Sequence, residues 1–85
     1  GMMNVVGGAL SGMSDRRMKK DVKFLGKNSQ DYNVYQFRYI SPLQSINDKT
    51  LHIGVMADEL PEEFTYIKNN INYVHYENID LKGFV

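Results

Sequence analysis

The feature that most constrains the fold is a clean alternation of aromatic and polar side chains over residues 32–40. The two faces of an extended chain would carry different residues here: Tyr35, Phe37 and Tyr39 on one face, Gln36 and Arg38 on the other. A period of two is typical of a half-buried β-strand. A base-stacking platform would also use such aromatics, but it normally comes with a basic groove, and this chain has ten basic and ten acidic residues. We therefore expect the aromatic face to pack in a core or an interface.

A second strand is predicted over residues 51–56, after a polar loop over residues 41–50. Its two faces carry Leu51, Ile53 and Val55 on one side and His52, Gly54 and Met56 on the other. Residues 57–64 read as a short helix or helical turn, with Pro61 tolerated only in the first turn. Residues 65–68 and 71–76 form a predicted second hairpin that turns at Asn69-Asn70.

Residues 14–25 allow two structures. Met18, Val22 and Leu25 have the spacing of a short helical stripe, whereas Val22 and Phe24 suit a strand. The simplest interpretation of the four cations in this stretch is a solvent-exposed face: Arg16, Arg17, Lys19 and Lys20. The alternative is that crowding by Lys20 and Arg16 lowers the pKa of Lys19.

Together these elements predict an α+β fold, a small antiparallel sheet or hairpins with one or two short helices. The 85 residues allow one small domain, and without cysteine it has no disulfides, so oligomerisation is a natural extra source of stability. Residues 1–13 are predicted to be a glycine-rich linker or the end of an upstream protein, and residues 14–85 the domain. For Gly12-Met13 two interpretations remain open, a linker or a backbone that presents a strained peptide bond.

Charge and hydropathy exclude several classes of partner. The formal net charge is zero, which gives no electrostatic reason to bind nucleic acid or a membrane surface. No apolar run approaches the roughly 20 residues of a membrane span. Gly7-Gly8 and Gly12 lack the pattern of a phosphate-binding loop, so no cofactor is expected.

Ser14-Asp15, followed by Lys19, has two interpretations. An oxygen of Ser14 or Asp15 can cap the first turn of a helix by accepting a backbone N–H. Alternatively, Ser14 is a nucleophile and Lys19 its general base, provided that burial or neighbouring charge lowers the lysine pKa.

His52 and Glu59 are further candidates. Each also has a purely structural interpretation. His52 would be a strand histidine whose hydrogen bonds are satisfied, and Glu59 would be a solvated or capping carboxylate that could anchor Lys19 or Arg17. In the functional reading they orient the base and stabilise the oxyanion near Ser14. A metal site of His52, His75 and Glu59 lacks close ligand spacing, so we predict no metal.

Four blocks of the sequence resemble, in the right order, the endosialidase-type intramolecular chaperone domain, peptidase family S74. The first is similar to the family's Ser-Asp-x-x-Leu-Lys-x-x-Ile opening: Ser14-Asp15-Arg16-Arg17-Met18-Lys19-Lys20-Asp21-Val22. The second is the aromatic strand Val34-Tyr35-Gln36-Phe37-Arg38-Tyr39. The third is similar to the family's His-x-Gly-Val-Ala-Gln-Glu-Leu block: His52-Ile53-Gly54-Val55-Met56-Ala57-Asp58-Glu59-Leu60. The last resembles its Val-Asn/Asp-Tyr segment: Ile71-Asn72-Tyr73-Val74-His75-Tyr76.

The resemblance implies a C-terminal domain of a phage tail or virion protein that helps its own upstream polypeptide assemble as a homotrimer and then releases itself. It implies that Ser14 attacks the carbonyl carbon of Met13, that Lys19 takes the hydroxyl proton, and that Asp15 sets the local geometry. His52 and Glu59 belong to the same implied site. The expected location is the virion, or the host cytoplasm during phage assembly.

The sequence departs from the family pattern at its end. Many members continue into long helices that form a coiled coil, whereas about nine residues follow Tyr76 here. A non-cleaving assembly module of the same fold is therefore the alternative function.

Overall fold

The computed structural model describes residues 4–5, 12–40 and 50–85, and its strands form two sheets. The larger sheet has the order β1-β4-β3-β2, and the smaller pairs β5 with β6. The strand bounds are β1 Asn4–Val5, β2 Lys19–Lys27, β3 Asn33–Tyr39, β4 Leu51–Gly54, β5 Thr65–Lys68 and β6 Ile71–Val74. The predicted loop lies outside the described residues except for Thr50. In the larger sheet β2, β3 and β4 are antiparallel, and the two-residue β1 runs parallel to β4.

The predicted faces of β3 and β4 are confirmed. Phe37 pairs with His52, and Gln36 pairs with Ile53, so the alternation of each strand sorts its side chains to opposite sides of the sheet. All of β4 is buried, because it lies between β1 and β3 and is covered on both faces. The strand ends at Gly54, two residues earlier than predicted.

Of the two structures predicted for residues 14–25, the strand is confirmed and the helical stripe is wrong. After one 3₁₀ turn at Arg16–Met18, the chain enters β2, which pairs with β3. The register shifts between Lys20 and Lys23, where Asp21 has φ of 52°. Lys19 is buried before this bulge, and Lys23 and Phe24 are exposed after it.

The second hairpin turns where the sequence predicts. Asn69 and Asn70 have φ of 52° and 65°, as a two-residue turn with both central residues in the left-handed region requires. The strand β6 ends at Val74 rather than at residue 76, because Tyr76–Asn78 forms a 3₁₀ turn.

Residues 57–64 form two 3₁₀ turns rather than one helix, at Ala57–Glu59 and Glu62–Phe64. Pro61 is the residue immediately before the second turn, and its missing N–H and fixed φ prevent the first turn from continuing. The described residues thus contain a four-stranded sheet whose strands β2, β3 and β4 are antiparallel, a two-stranded antiparallel sheet and short 3₁₀ turns, which is consistent with the predicted small α+β fold.

Two hydrophobic clusters cover the sheet. The first is the larger: Val34, Ile53, Val55, Ala57, Val74, Ile79 and Leu81. The second consists of Met13, Phe37 and Tyr39. Phe37 and Val34 have opposite parity in β3, so the two clusters lie on opposite faces of that strand.

Part of the predicted linker pairs with the domain. Asn4–Val5 forms β1 beside Leu51 and His52, and Gly12 and Met13 are buried. The rest of residues 1–11 lies outside the described residues. The boundary between linker and domain at Ser14 stays a prediction.

Candidate active site

The Met13–Ser14 peptide is held against β6 like a short extra strand. The Ser14 N–H donates to the Asn72 carbonyl at 3.0 Å, and the Val74 N–H donates to the Gly12 carbonyl at 2.6 Å. Gly12 has φ of 87°, and a Cβ there would lie 3.1 Å from the Tyr66 hydroxyl, so the approach to this strand requires glycine. The peptide is therefore clamped on both sides of Met13.

Ser14 is fully buried, with 0 % of its surface exposed. Its Oγ lies 2.6 Å from the Tyr76 hydroxyl, and its carbonyl accepts the Ala57 N–H at 2.9 Å. The 3₁₀ turns that carry Ala57 and Tyr76 thus hold the carbonyl and the hydroxyl of Ser14, respectively.

The Tyr76 hydroxyl is itself held by the residue that follows β4. It accepts the Val55 N–H at 3.1 Å and lies 3.5 Å from the Val55 carbonyl oxygen. A Cβ on Gly54 would collide with this hydroxyl, so the glycine leaves the space that Tyr76 occupies. Burial raises the pKa of Tyr76, which keeps it protonated.

Lys19 is buried at the start of β2, with 7 % of its surface exposed. Its Nζ donates to the Val55 carbonyl at 2.8 Å and lies 3.9 Å from the centre of the Phe37 ring. Burial, and then the charge of Arg16, lower the pKa of Lys19 from 10.5 to about 7. The crowding hypothesis is therefore only half correct, because Arg16 contributes but Lys20 is exposed and burial is the larger cause.

Ser14 and Lys19 meet through shared partners. Among the described residues, the Ser14 hydroxyl bonds to Tyr76, and the Val55 carbonyl oxygen lies within reach of both Tyr76 and Lys19. The result is a buried chain of polar atoms that runs from the serine to the lysine. A lysine with a pKa near 7 is neutral often enough at neutral pH to accept a proton.

Asp15 confirms the capping interpretation. Its Oδ1 accepts the Arg17 N–H at 3.0 Å, at the start of the 3₁₀ turn. Its Oδ2 accepts from Arg17 Nη2 at 2.6 Å and from the Asn72 N–H at 3.0 Å. The Arg17 guanidinium holds the pKa of this buried carboxyl well below its usual range. Asp15 therefore ties the turn to β6 beside Ser14.

Glu59 binds a different cation from those predicted. It accepts from Arg16 Nη2 at 2.7 Å and from the Tyr35 hydroxyl at 2.8 Å, because Arg17 is engaged by Asp15 and Lys19 by Val55. Arg16 also pairs with Asp58 through Nε at 3.0 Å. Glu59 thus acts on Lys19 through Arg16 and at longer range.

His52 lies in the aromatic cluster under the site. Its ring stacks with Phe37 at 5.8 Å and meets the edge of Tyr39 at 4.7 Å between centroids. The Tyr39 hydroxyl donates to the Met13 carbonyl at 3.2 Å. His52 therefore supports Tyr39, which in turn contacts the peptide that precedes Ser14.

The sequence interpretation missed two functional candidates, Tyr39 and Tyr76. Tyr39 was predicted only to pack in a core or an interface, and Tyr76 was named only as part of the fourth family block, because the contacts of a hydroxyl across 26 or 62 residues leave no spacing signal. The described residues contain no group of three side chains that could hold a metal ion. His75 belongs to the metal site that was considered and disfavoured from the sequence. Its ring packs on Tyr66 instead.

These features define a small β domain with a buried serine and a buried, readily neutralised lysine. A family model described as Chaperone of endosialidase, Peptidase S74, matches residues 14–69, which is more than half of the chain. The chain belongs to this family of intramolecular chaperones, which act on their own polypeptide, and the family implies a phage protein. No curated protein and no solved structure matches it. No helix in the described part of the chain is long and apolar enough to span a membrane.

Proposed function

We propose that this domain assists the trimeric assembly of a phage tail or virion protein and then releases itself by cleaving the Met13–Ser14 bond. The observation that carries the proposal is the buried Lys19, whose pKa near 7 suits a general base. Ser14 is buried on the same polar chain of atoms. One intramolecular turnover needs proximity rather than substrate binding, and proximity can supply roughly 7–11 kcal/mol of the barrier.

The reaction begins when the neutral Lys19 amine turns from the Val55 carbonyl oxygen to the Ser14 hydroxyl and takes its proton. Ser14 Oγ then bonds to the Met13 carbonyl carbon, and the carbonyl electrons move to oxygen. When the oxyanion collapses, the bond between the Met13 carbon and the Ser14 nitrogen breaks, and the Lys19 ammonium returns its proton to that nitrogen. The resulting ester joins the Met13 carbon to Ser14 Oγ, and one water hydrolyses it to a Met13 carboxylate and a free Ser14 hydroxyl.

The roles of the remaining side chains follow from their contacts. Asp15 fixes the turn beside Ser14 through Arg17 and Asn72. Glu59 holds Arg16, whose charge helps to keep Lys19 neutral. His52 packs behind Tyr39, so it orients the aromatic cluster rather than contacting Ser14.

Intact mass over time tests the cleavage. The unmodified chain should yield fragments 1–13 and 14–85, while Ser14→Ala and Lys19→Ala should remain intact. Ser29→Ala and Lys20→Ala are matched controls, because both residues are exposed and should leave the rate unchanged. Cleavage at another bond, or in the Ser14→Ala chain, would contradict the assignment of the nucleophile.

Exposed apolar side chains support the proposed self-association. Val22 and Phe24 are exposed on β2, which is an edge strand of the larger sheet. Ile67, on β5, is also exposed. Light scattering of the Ser14→Ala chain should give the mass of a trimer, and Phe24→Asp should reduce it to that of a monomer. The neighbouring Lys23→Ala serves as the control.

A non-cleaving assembly module is the second candidate. It is favoured by one observation, that the Ser14 hydroxyl bonds to Tyr76 rather than directly to Lys19. If the unmodified chain, with Ser14 present, stays intact while it is trimeric, this result supports the non-cleaving module and contradicts self-cleavage.

A further inference from the structure

The carbonyl oxygen of Met13 has one hydrogen-bond donor in the described part of the chain. This donor is the Tyr39 hydroxyl, at 3.2 Å. The neighbouring backbone groups point to β6 instead, because the Gly12 carbonyl and the Ser14 N–H both pair with that strand. The Met13 carbonyl thus faces the aromatic cluster on the opposite side of the short strand.

This oxygen is where negative charge would develop if Ser14 attacked Met13. A donor aimed at such an oxygen in a buried site stabilises the transition state more than it does in water. A contact of 3.2 Å to the neutral carbonyl is longer than the usual range of about 2.5–3.0 Å for a hydroxyl donor. It therefore has room to shorten and strengthen as the charge develops, which is the condition for it to accelerate the reaction.

Tyr39 is held in place before any reaction occurs. It is 1 % exposed, and its ring meets Phe37 edge-on at 5.4 Å and His52 at 4.7 Å. A ring fixed on two sides requires little reorganisation to keep its hydroxyl on target. Burial raises the pKa of Tyr39 above its ordinary value of 10.0, so the hydroxyl retains its proton throughout the neutral range.

We propose that Tyr39 is a catalytic residue of the self-cleavage, the donor that stabilises the oxyanion formed on the Met13 carbonyl. The assignment rests on the proposed function, because it concerns the same bond. It adds a second group to the reaction, one that acts on the electrophile while Lys19 acts on the nucleophile.

The test compares cleavage rates of the unmodified chain, Tyr39→Phe and Tyr32→Phe by intact mass, with Ser14→Ala as the inert reference. Tyr39→Phe removes only the donor and should slow cleavage by about 10²–10³-fold, as the loss of one oxyanion donor does elsewhere. Tyr32→Phe should leave the rate unchanged, because Tyr32 packs against Phe64 in the other hydrophobic cluster.

A pH profile separates catalysis from a general disturbance of the site. Tyr39→Phe should lower the plateau of the rate but keep the inflection near pH 7 that belongs to Lys19. An inflection that moves would mean that the variant acts through the lysine pocket, and would overturn the assignment. Replacing Tyr39 by a fluorinated tyrosine keeps the ring and hydroxyl but makes the O–H a stronger donor, so cleavage should become faster. This variant also serves if Tyr39→Phe fails to fold, and an unchanged or slower rate in it counts against the assignment.

The two proposals fail in different ways. If the unmodified chain cleaves and folded Tyr39→Phe cleaves equally fast, Tyr39 has no catalytic role and self-cleavage stands. If the unmodified chain stays intact while it is trimeric, both self-cleavage and the role of Tyr39 are refuted.

Discussion

The pH dependence of self-cleavage follows directly from the burial of Lys19. Its pKa falls from 10.5 to about 7, so protonation is about 5 kcal/mol less favourable in the folded chain than in the unfolded one. At neutral pH about half of the side chains are neutral, whereas a lysine with an ordinary pKa would be neutral about a thousandfold less often. The base is therefore available at neutral pH.

The cleavage rate should rise about tenfold per pH unit at acid pH, pass an inflection near pH 7 and become flat above about pH 8. The assay is a time course of intact mass in buffers of constant ionic strength. A rate that continued to rise through about pH 10 would contradict a base with a pKa near 7, because it would indicate an ordinary lysine or direct attack by hydroxide.

Arg16 provides a variant that should move the inflection. It lowers the pKa of Lys19 by charge repulsion and neutralises Asp58 and Glu59. Arg16→Gln removes the repulsion and leaves both carboxylates free to stabilise the ammonium, so the inflection should move to higher pH. Lys20→Gln, which removes an exposed cation, is the matched control. A shift to lower pH in Arg16→Gln would contradict this electrostatic account.

The same pKa predicts how stability depends on pH in the uncleavable Ser14→Ala chain. Between pH 7 and 10.5 the unfolded chain binds more protons at Lys19 than the folded chain does, so stability rises with pH in that window. From about pH 7 to about pH 9 the gain is about 2 kcal/mol. Urea denaturation measures it, and Lys19→Met should abolish it.

Three further predictions concern the residues around Ser14, and urea or thermal denaturation checks each. Gly54→Ala should destabilise the domain by about 1–3 kcal/mol, because the added methyl group displaces the Tyr76 hydroxyl; an unchanged melting temperature would contradict the close packing there. Tyr76→Phe should cost about 1–3 kcal/mol, since it leaves the Val55 N–H without its partner; equal stability would show that another acceptor replaces it. Asp15 has a lowered pKa, so its contribution is present above about pH 4 and is lost as the pH falls; Asp15→Asn should flatten this acid dependence, and an unaltered curve would contradict the role of its carboxylate.

The sequence alone predicted most of the local structure. The alternation at Phe37 and Tyr39 identified β3 and its buried face, and Asn69-Asn70 identified the turn between β5 and β6. These predictions succeed because a strand's period of two and a turn's positive φ angles are local properties of a few adjacent residues. Residues 57–64 were less well predicted, because a short helix and a pair of 3₁₀ turns have nearly the same sequence pattern.

Ser14 and Lys19 were also predictable as candidates from the motif at the start of the domain, and Asp15 was predictable as a cap. The cation that Glu59 binds was not, because Lys19 or Arg17 was expected from the sequence, and spacing along the chain cannot distinguish neighbouring cations as partners of a distant carboxylate. Only the fold decided that Arg16 takes Glu59 and that Arg17 takes Asp15.

The sequence by itself thus predicted β3, β4, the hairpin of β5 and β6 with its turn, the family resemblance and the identity of the candidate serine and lysine, whereas β1 and β2 were established only by the structure. Only the tertiary structure decided that Lys19 is buried against Val55, that Tyr76 holds Ser14 and that Tyr39 faces Met13. The physical reason is that a pKa and a hydrogen bond depend on which distant residues exclude water and present a polar atom. The pairing of β6 with the Met13–Ser14 segment and the packing of β3 on β4 bring those residues together, and no short stretch of sequence encodes either arrangement.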